Sequence, residues 1–124
     1  MFVRLMLLSI VKGIPMSELK QDKKSYRFCS YSELKTKDYI IKWIPDLKDD
    51  VVIIKEGGTY RCFSAICPHM GGDFKCEVKK KTLICKWHGF RFSAADGRCL
   101  FPKSGMKLRE YSFRVHHDNV EILY

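Results

Sequence analysis

Cys67-Pro68-His69-Met70-Gly71-Gly72 opens the stretch that decides how this chain is read, and Cys85-Lys86-Trp87-His88-Gly89-Phe90 closes it. The spacing is Cys-x-His, fifteen residues (70–84), then Cys-x-x-His. Each short loop offers one sulfur and one imidazole nitrogen. A loop that aims two side chains at one centre must curl tightly, and glycine permits the backbone angles that a curl needs. Gly71, Gly72 and Gly89 follow the candidate ligands directly. They also let backbone N–H groups approach sulfur, and such hydrogen bonds tune a metal–sulfur group. Cys67, His69, Cys85 and His88 are therefore the candidate metal ligands. A structural zinc site uses the same residue types in tetrahedral geometry. Zinc knuckles usually hold two cysteines together and two histidines together, whereas each loop here is mixed.

The mixed loops, with Pro68 and Gly71-Gly72 in the first and Trp87 and Gly89 in the second, resemble the Rieske family. In that family a 2Fe-2S cluster replaces two of four cysteines with histidines on one iron. The resemblance implies that Cys67 and Cys85 hold the inner iron and His69 and His88 the outer one. It also implies a fold: an all-β, three-sheet antiparallel sandwich with a small cluster-binding lobe at about 67–103. It covers roughly residues 26–124, the expected Rieske domain. Pro102-Lys103-Ser104-Gly105 resembles the proline-bearing cover loop of the family. Respiratory members carry one more cysteine in each loop, joined as a disulfide. The matching positions here are Gly72 and Trp87, so the chain is similar to the ferredoxin and oxygenase branch. High-potential members place a serine hydroxyl after the second His-Gly, where this chain has Phe90. Both departures imply a potential near the low end of the Rieske window of about −150 to +300 mV.

Composition sets outer bounds. The 124 residues suffice for one domain with one core, and 46% hydrophobic content fits a folded protein. Lys and Arg number 23 against 14 Asp and Glu, a net charge of +9. The part from residue 61 onward is the more basic, with 12 cationic and 6 acidic residues. Nucleic-acid binding would use such a charge, but no basic helix or interleaved aromatic patch supports it. Four cysteines lie outside the motif: Cys29, Cys62, Cys76 and Cys99. Without a repeating pattern they read as buried thiols in a reducing, cytoplasmic setting rather than as a disulfide framework.

Residues 1–25 form an N-terminal tail in this reading. The apolar run from Leu5 to Val11 is far short of the ~20 residues that span a bilayer. Arg4 ahead of this run also fits a signal peptide, though no small-x-small cleavage site and no twin arginine accompany it. Residues 1–15 are expected to be a loose tail, or sequence upstream of a start at Met16. Strands are expected at 26–31, 39–44, 51–55, 60–66, 82–84, 90–93, 98–101, 108–115 and 120–124. Turns fall at Asp49-Asp50, Gly57-Gly58, the lysine run 79–81, Ala94–Gly97 and His117–Asn119. Ser32–Lys35 reads as a turn or one helical turn. Trp87 and Phe90 read as core packing beneath the candidate metal site rather than as electron conduits, and Trp43 reads as a core aromatic. His116 and His117 are neighbours, so on a strand they would face opposite sides; both read as plain surface residues.

Nothing in the sequence supplies a nucleophile with an orienting base or a nucleotide loop. The resemblance therefore implies a one-electron carrier, a ferredoxin component between a flavin reductase and a terminal oxygenase. It leaves a second possibility, the Rieske fragment or subunit of a ring-hydroxylating oxygenase. The catalytic part of such an enzyme adds an iron held by two histidines and a carboxylate, and needs more chain than the nine residues after Val115. The small subunit of assimilatory nitrite reductase is a similar fold but often lacks the full ligand set. Lys75, Lys86, Arg91 and Lys103 flank the two loops, with Asp73 the local carboxylate, so the expected partner face is acidic.

Overall fold

A computed structural model of the chain describes residues 24–68, 74–86 and 89–124. Residues 1–23 of the expected tail, and with them its alternatives, lie outside the described residues. Lys24 and Ser25 are not tail: Ser25 opens a strand and the Lys24 N–H donates to the Tyr124 carbonyl at 2.7 Å. The fold is all-β, with three antiparallel sheets. Two compact units divide it, one from Asp38 to Glu110 and the other joining the described residues up to Lys37 with Tyr111–Tyr124.

The smaller unit holds a three-stranded sheet. Its strands are β1 (Ser25–Ser30), β9 (Ser112–His116) and β10 (Asn119–Leu123), in the order β1-β10-β9. A single helical turn, α1 (Tyr31–Lys35), follows β1. Ser30 caps it, its Oγ accepting the Glu33 N–H at 3.0 Å. The β9–β10 hairpin turns on His117 and Asp118, at φ 52° and 65°. Positive φ at both central residues matches the twist of the paired strands. It also removes the opposite-face expectation for the histidines. The left-handed backbone at His117 swings its ring back over His116, and the centroids lie 4.2 Å apart. The Asp118 carboxylate in turn accepts the Ser32 N–H at 3.0 Å, tying the turn to α1.

The larger unit holds two meanders. The first is β2 (Tyr39–Ile44), β3 (Asp49–Glu56) and β4 (Thr59–Ser64), in that order. Val51, Val52, Ile53 and Ile54 are fully buried, so β3 is covered on both faces. Asp49 and Asp50 are part of this strand, opposite Ile44 and Trp43, rather than a turn. Asp49 belongs there because its carboxylate accepts the Ser64 hydroxyl at 3.0 Å from β4. Trp43 is not a core aromatic. It lies on the edge strand β2 and is 53% exposed.

The second meander is β5 (Phe74–Glu77), β6 (Thr82–Cys85), β7 (Arg91–Ser93) and β8 (Cys99–Phe101). β5 has no counterpart among the expected strands. The lysine run sits in a 3-10 turn, Val78–Lys80, that joins β5 to β6. Val52 and Ile54 from the first meander and Leu83, Phe92 and Cys99 from the second share one buried cluster. Phe74 meets Phe92 edge to face at 5.5 Å. Each large side chain removed from water here contributes roughly 1.5–3 kcal/mol.

Gly97 shows how tightly the β7–β8 turn is held against that cluster. Its φ is +79°, and a Cβ there would meet Phe63 Cε1 at 3.0 Å and Leu108 Cβ at 3.2 Å. Gly105 has a similar φ of +78° but open space around it. Gly105→Ala should therefore cost only the left-handed backbone term, about 1–2 kcal/mol. Gly97→Ala adds overpacking of roughly 1–3 kcal/mol to the same term. Thermal melts of the two variants check this, with Gly97→Ala expected to melt clearly lower.

Candidate metal centre

Cys67 stands just beyond β4, on a backbone fixed from both sides. The Ser64 N–H donates to the Arg109 carbonyl at 2.8 Å, and the Ala65 N–H to the Asp50 carbonyl at 2.7 Å. Cys85 is the last residue of β6, opposite Phe74. Its N–H donates to the Phe90 carbonyl at 2.7 Å, and its carbonyl accepts the Gly89 N–H at 2.9 Å. These two bonds hold the two ends of the second loop together. Gly89 sits at φ +74° with nothing near its missing side chain, so the turn itself is what calls for glycine there.

Both sulfurs lie in the same buried cluster. Cys67 and Cys85 are each 1% exposed and pack in one group with Phe74, Leu83, Phe92 and Cys99. No disulfide joins any of the six cysteines. Two thiols buried in one apolar cluster, each at the root of a loop whose sequence carries a histidine, suit a metal–sulfur group. A thiolate is costly in such surroundings unless a cation neutralises it, and an iron or zinc ion does so. His69, with Met70 to Asp73, and His88, with Trp87, lie outside the described residues.

The third loop follows β8. The Cys99 N–H donates to the Met106 carbonyl at 2.9 Å, closing its base, and the Cys99 thiol donates to the Pro102 carbonyl at 3.1 Å. Met106 and Phe90 are half-buried against the core cluster. Phe90 thus packs as its sequence suggested, and its carbonyl braces the second ligand loop. Lys75, Lys86, Arg91 and Lys103 are all exposed. Arg91 is ion-paired with Glu77 at 3.8 Å.

The family model of the Rieske 2Fe-2S domain matches residues 24–112. The chain belongs to the Rieske family. Its cofactor is accordingly a 2Fe-2S cluster, and the zinc reading falls away. No curated protein matches the chain. Among solved structures it is similar to the plasma membrane Rieske protein PetC3 of the cyanobacterium Synechocystis PCC 6803. That likeness has 21% identity, 78% of this chain and 97% of that one covered, and a TM-score of 0.66. It is also similar to the ferredoxin of carbazole 1,9a-dioxygenase from Nocardioides aromaticivorans IC177, at 17% identity. There the coverage is 80% of this chain and 96% of that one, with a TM-score of 0.64. A reduced complex between oxygenase and ferredoxin in carbazole 1,9a-dioxygenase matches at 19% identity over 79% of this chain. It is covered over 27% of that chain, with a TM-score of 0.63. These likenesses establish the three-sheet Rieske fold. No helix of the described residues is long and apolar enough to cross a membrane.

The four cysteines outside the motif are free thiols in or against the packed interior. Cys29, Cys62 and Cys99 are buried and Cys76 is half-buried. Burial pushes the Cys76 thiol up to about 12, with Lys86 pulling weakly the other way. Burial also raises Cys62, and the Glu110 carboxylate adds to the effect. Because the thiolate is the reactive form, neither residue should be alkylated by iodoacetamide at pH 8 in the folded protein. Peptide mass mapping reads this directly. Rapid native labelling of Cys76 would show that its thiol is not held as described.

Proposed function

We propose that this Rieske protein is a one-electron carrier. In this reading it is the ferredoxin component that accepts an electron from a flavin reductase and passes it to a terminal oxygenase. The observation that carries this is the pairing of Cys67 and Cys85 in one core cluster within the stretch that matches the Rieske domain. The cluster-binding domain is assigned to residues 26–124, with its cluster lobe at about 67–103. Cys67 and Cys85 are assigned to one iron, and His69 and His88 to the other. The bound cluster supplies a one-electron couple. The chain supplies the rest: two thiols screened from water, a second loop braced by the Phe90 carbonyl, and exposed cations beside the loops. Lys75, Lys86, Arg91 and Lys103 suit a partner with an acidic face, steered by charge and weakened by salt. A cytoplasmic, reducing location fits six cysteines without a disulfide. A second reading, the Rieske portion of an oxygenase, has the partial overlap with the oxygenase–ferredoxin complex in its favour.

Anaerobically purified protein should be red-brown, with iron and acid-labile sulfide near one to one. Cys67→Ser and Cys85→Ser should each lose the colour. A chain started at Met16 should keep the same spectrum if the domain assignment is right. A colourless wild-type protein carrying stoichiometric zinc would sink the assignment of ligands and cofactor together.

The potential is a separate test. Phe90 offers no hydroxyl at the position where high-potential relatives place a serine. The expected value is on the order of −150 mV, the low end of the Rieske window. Protein-film voltammetry measures it, and a value above about +100 mV would contradict the argument. Phe90→Ser should shift the potential upward.

A further inference from the structure

The four strands β5 to β8 all change into loops at the same end. β5 begins at Phe74, β6 ends at Cys85, β7 begins at Arg91 and β8 ends at Phe101. One register row crosses the sheet beside that end: Lys75 with Ile84, Ile84 with Arg91, Arg91 with Phe101. Side chains in one row of an antiparallel sheet share a face. The alternate row, Cys76, Leu83, Phe92 and Cys99, packs into the core. Lys75, Ile84, Arg91 and Phe101 therefore form the outward row next to the ligand loops.

β8 departs from regular alternation within this row. Arg91 pairs with Phe101 and Phe92 with Cys99, so one step on β7 meets two on β8. Leu100 is the extra residue. A bulge of this kind sets two residues against one and re-aims a side chain. In a regular strand one of two neighbours would turn inward. Here Leu100 is 39% exposed and Phe101 62% exposed, side by side. Single exposed apolar residues are ordinary. An adjacent pair produced by a bulge, with Arg91 paired across from Phe101, Lys103 two residues on and Lys75 further along the same row, placed at the root of the cluster loops, is a different matter. The other large apolar residues exposed among the described residues, Tyr39, Ile41 and Trp43 on β2, lie on a strand that leads into neither ligand loop.

We propose that Leu100 and Phe101 are the apolar anchor of the face on which a redox partner docks. The partner's matching surface is an apolar patch ringed by carboxylates. This rests on the carrier reading above and adds to it the short-range contact that charge alone does not supply. Interfaces draw most of their affinity from a few central apolar and aromatic residues, whereas rim charges mainly set encounter rate and salt dependence. Leu100 and Phe101 take the first role, and Lys75, Arg91 and Lys103 the second.

The test uses two oxidants against the reduced, cluster-loaded protein in stopped flow. One is cytochrome b5, a haem protein whose exposed haem edge is ringed by carboxylates. The other is ferricyanide, a small hydrophilic anion with no use for an apolar anchor. Leu100→Ser with Phe101→Ser should slow the second-order rate with cytochrome b5 by about tenfold or more while changing the ferricyanide rate by less than about twofold. Phe101→Leu should recover most of the loss. Lys75→Glu and Arg91→Glu should slow the cytochrome b5 reaction and flatten its dependence on salt. The visible spectrum of each variant confirms an intact cluster. An unchanged cytochrome b5 rate in the double serine variant overturns the anchor. So does an equal slowing with ferricyanide, which would place the effect on the cluster itself. If the charge reversals slow the reaction and the serines do not, the anchor falls and the basic docking face stands. A colourless wild-type protein takes both readings down.

Discussion

Two buried thiols on one apolar cluster are the constraint around which the larger unit is arranged. Cys67 and Cys85 reach that cluster from different meanders, one past the end of β4 and one at the end of β6. Each sulfur is useful to a metal only as a thiolate, and a thiolate among Phe74, Leu83 and Phe92 needs a cation at hand. The packing and the metal are thus mutually dependent. The core excludes water from the two sulfurs, and metal binding relieves the cost of charging them. The backbone bonds at Ser64, Ala65 and Cys85 fix the chain where each of the two cysteines enters that cluster.

Most of the architecture was legible because its punctuation is local. Gly57-Gly58, Ala94–Gly97 and the turn at His117 are short-range signals, and each falls between runs that do form strands. The candidate ligands were legible for a similar reason, since the motif is confined to two loops. β5 was harder to see. Its Phe-Lys-Cys-Glu alternation is present but only four residues long, and the lysine run beside it draws the eye towards a turn. Strand identity there is decided by pairing with β6, a tertiary fact.

The misread residues share a cause. Asp49 and Asp50 look like chain punctuation, yet a carboxylate is tolerated on a strand when a hydroxyl from the next strand satisfies it, as Ser64 does for Asp49. Trp43 has the composition of a core residue, but it shares its face of β2 with Tyr39 and Ile41, which are exposed as well. Its partner across the ladder is Asp50, not a large apolar side chain. His116 and His117 obey the alternation rule only while the strand continues, and the left-handed step at His117 ends it. Position within a sheet and local handedness decide these cases, and neither can be read from residue type.

The period of two along β5 to β8 also separates two kinds of selection. The inward row of Cys76, Leu83, Phe92 and Cys99 must fill a closed volume, where a change of even one methylene is felt. The outward row of Lys75, Ile84, Arg91 and Phe101 faces whatever the chain meets, and its side chains can change with little effect on the core. A fold built this way keeps its cluster lobe while its surface diverges. That is consistent with Rieske structures that superpose on this chain at about one-fifth sequence identity. It follows that fold likeness alone carries no information about the partner. In the docking proposed above, partner choice rests on the outward row and the loops beside it. In this chain that row is cationic, with an apolar pair pushed outward by a bulge.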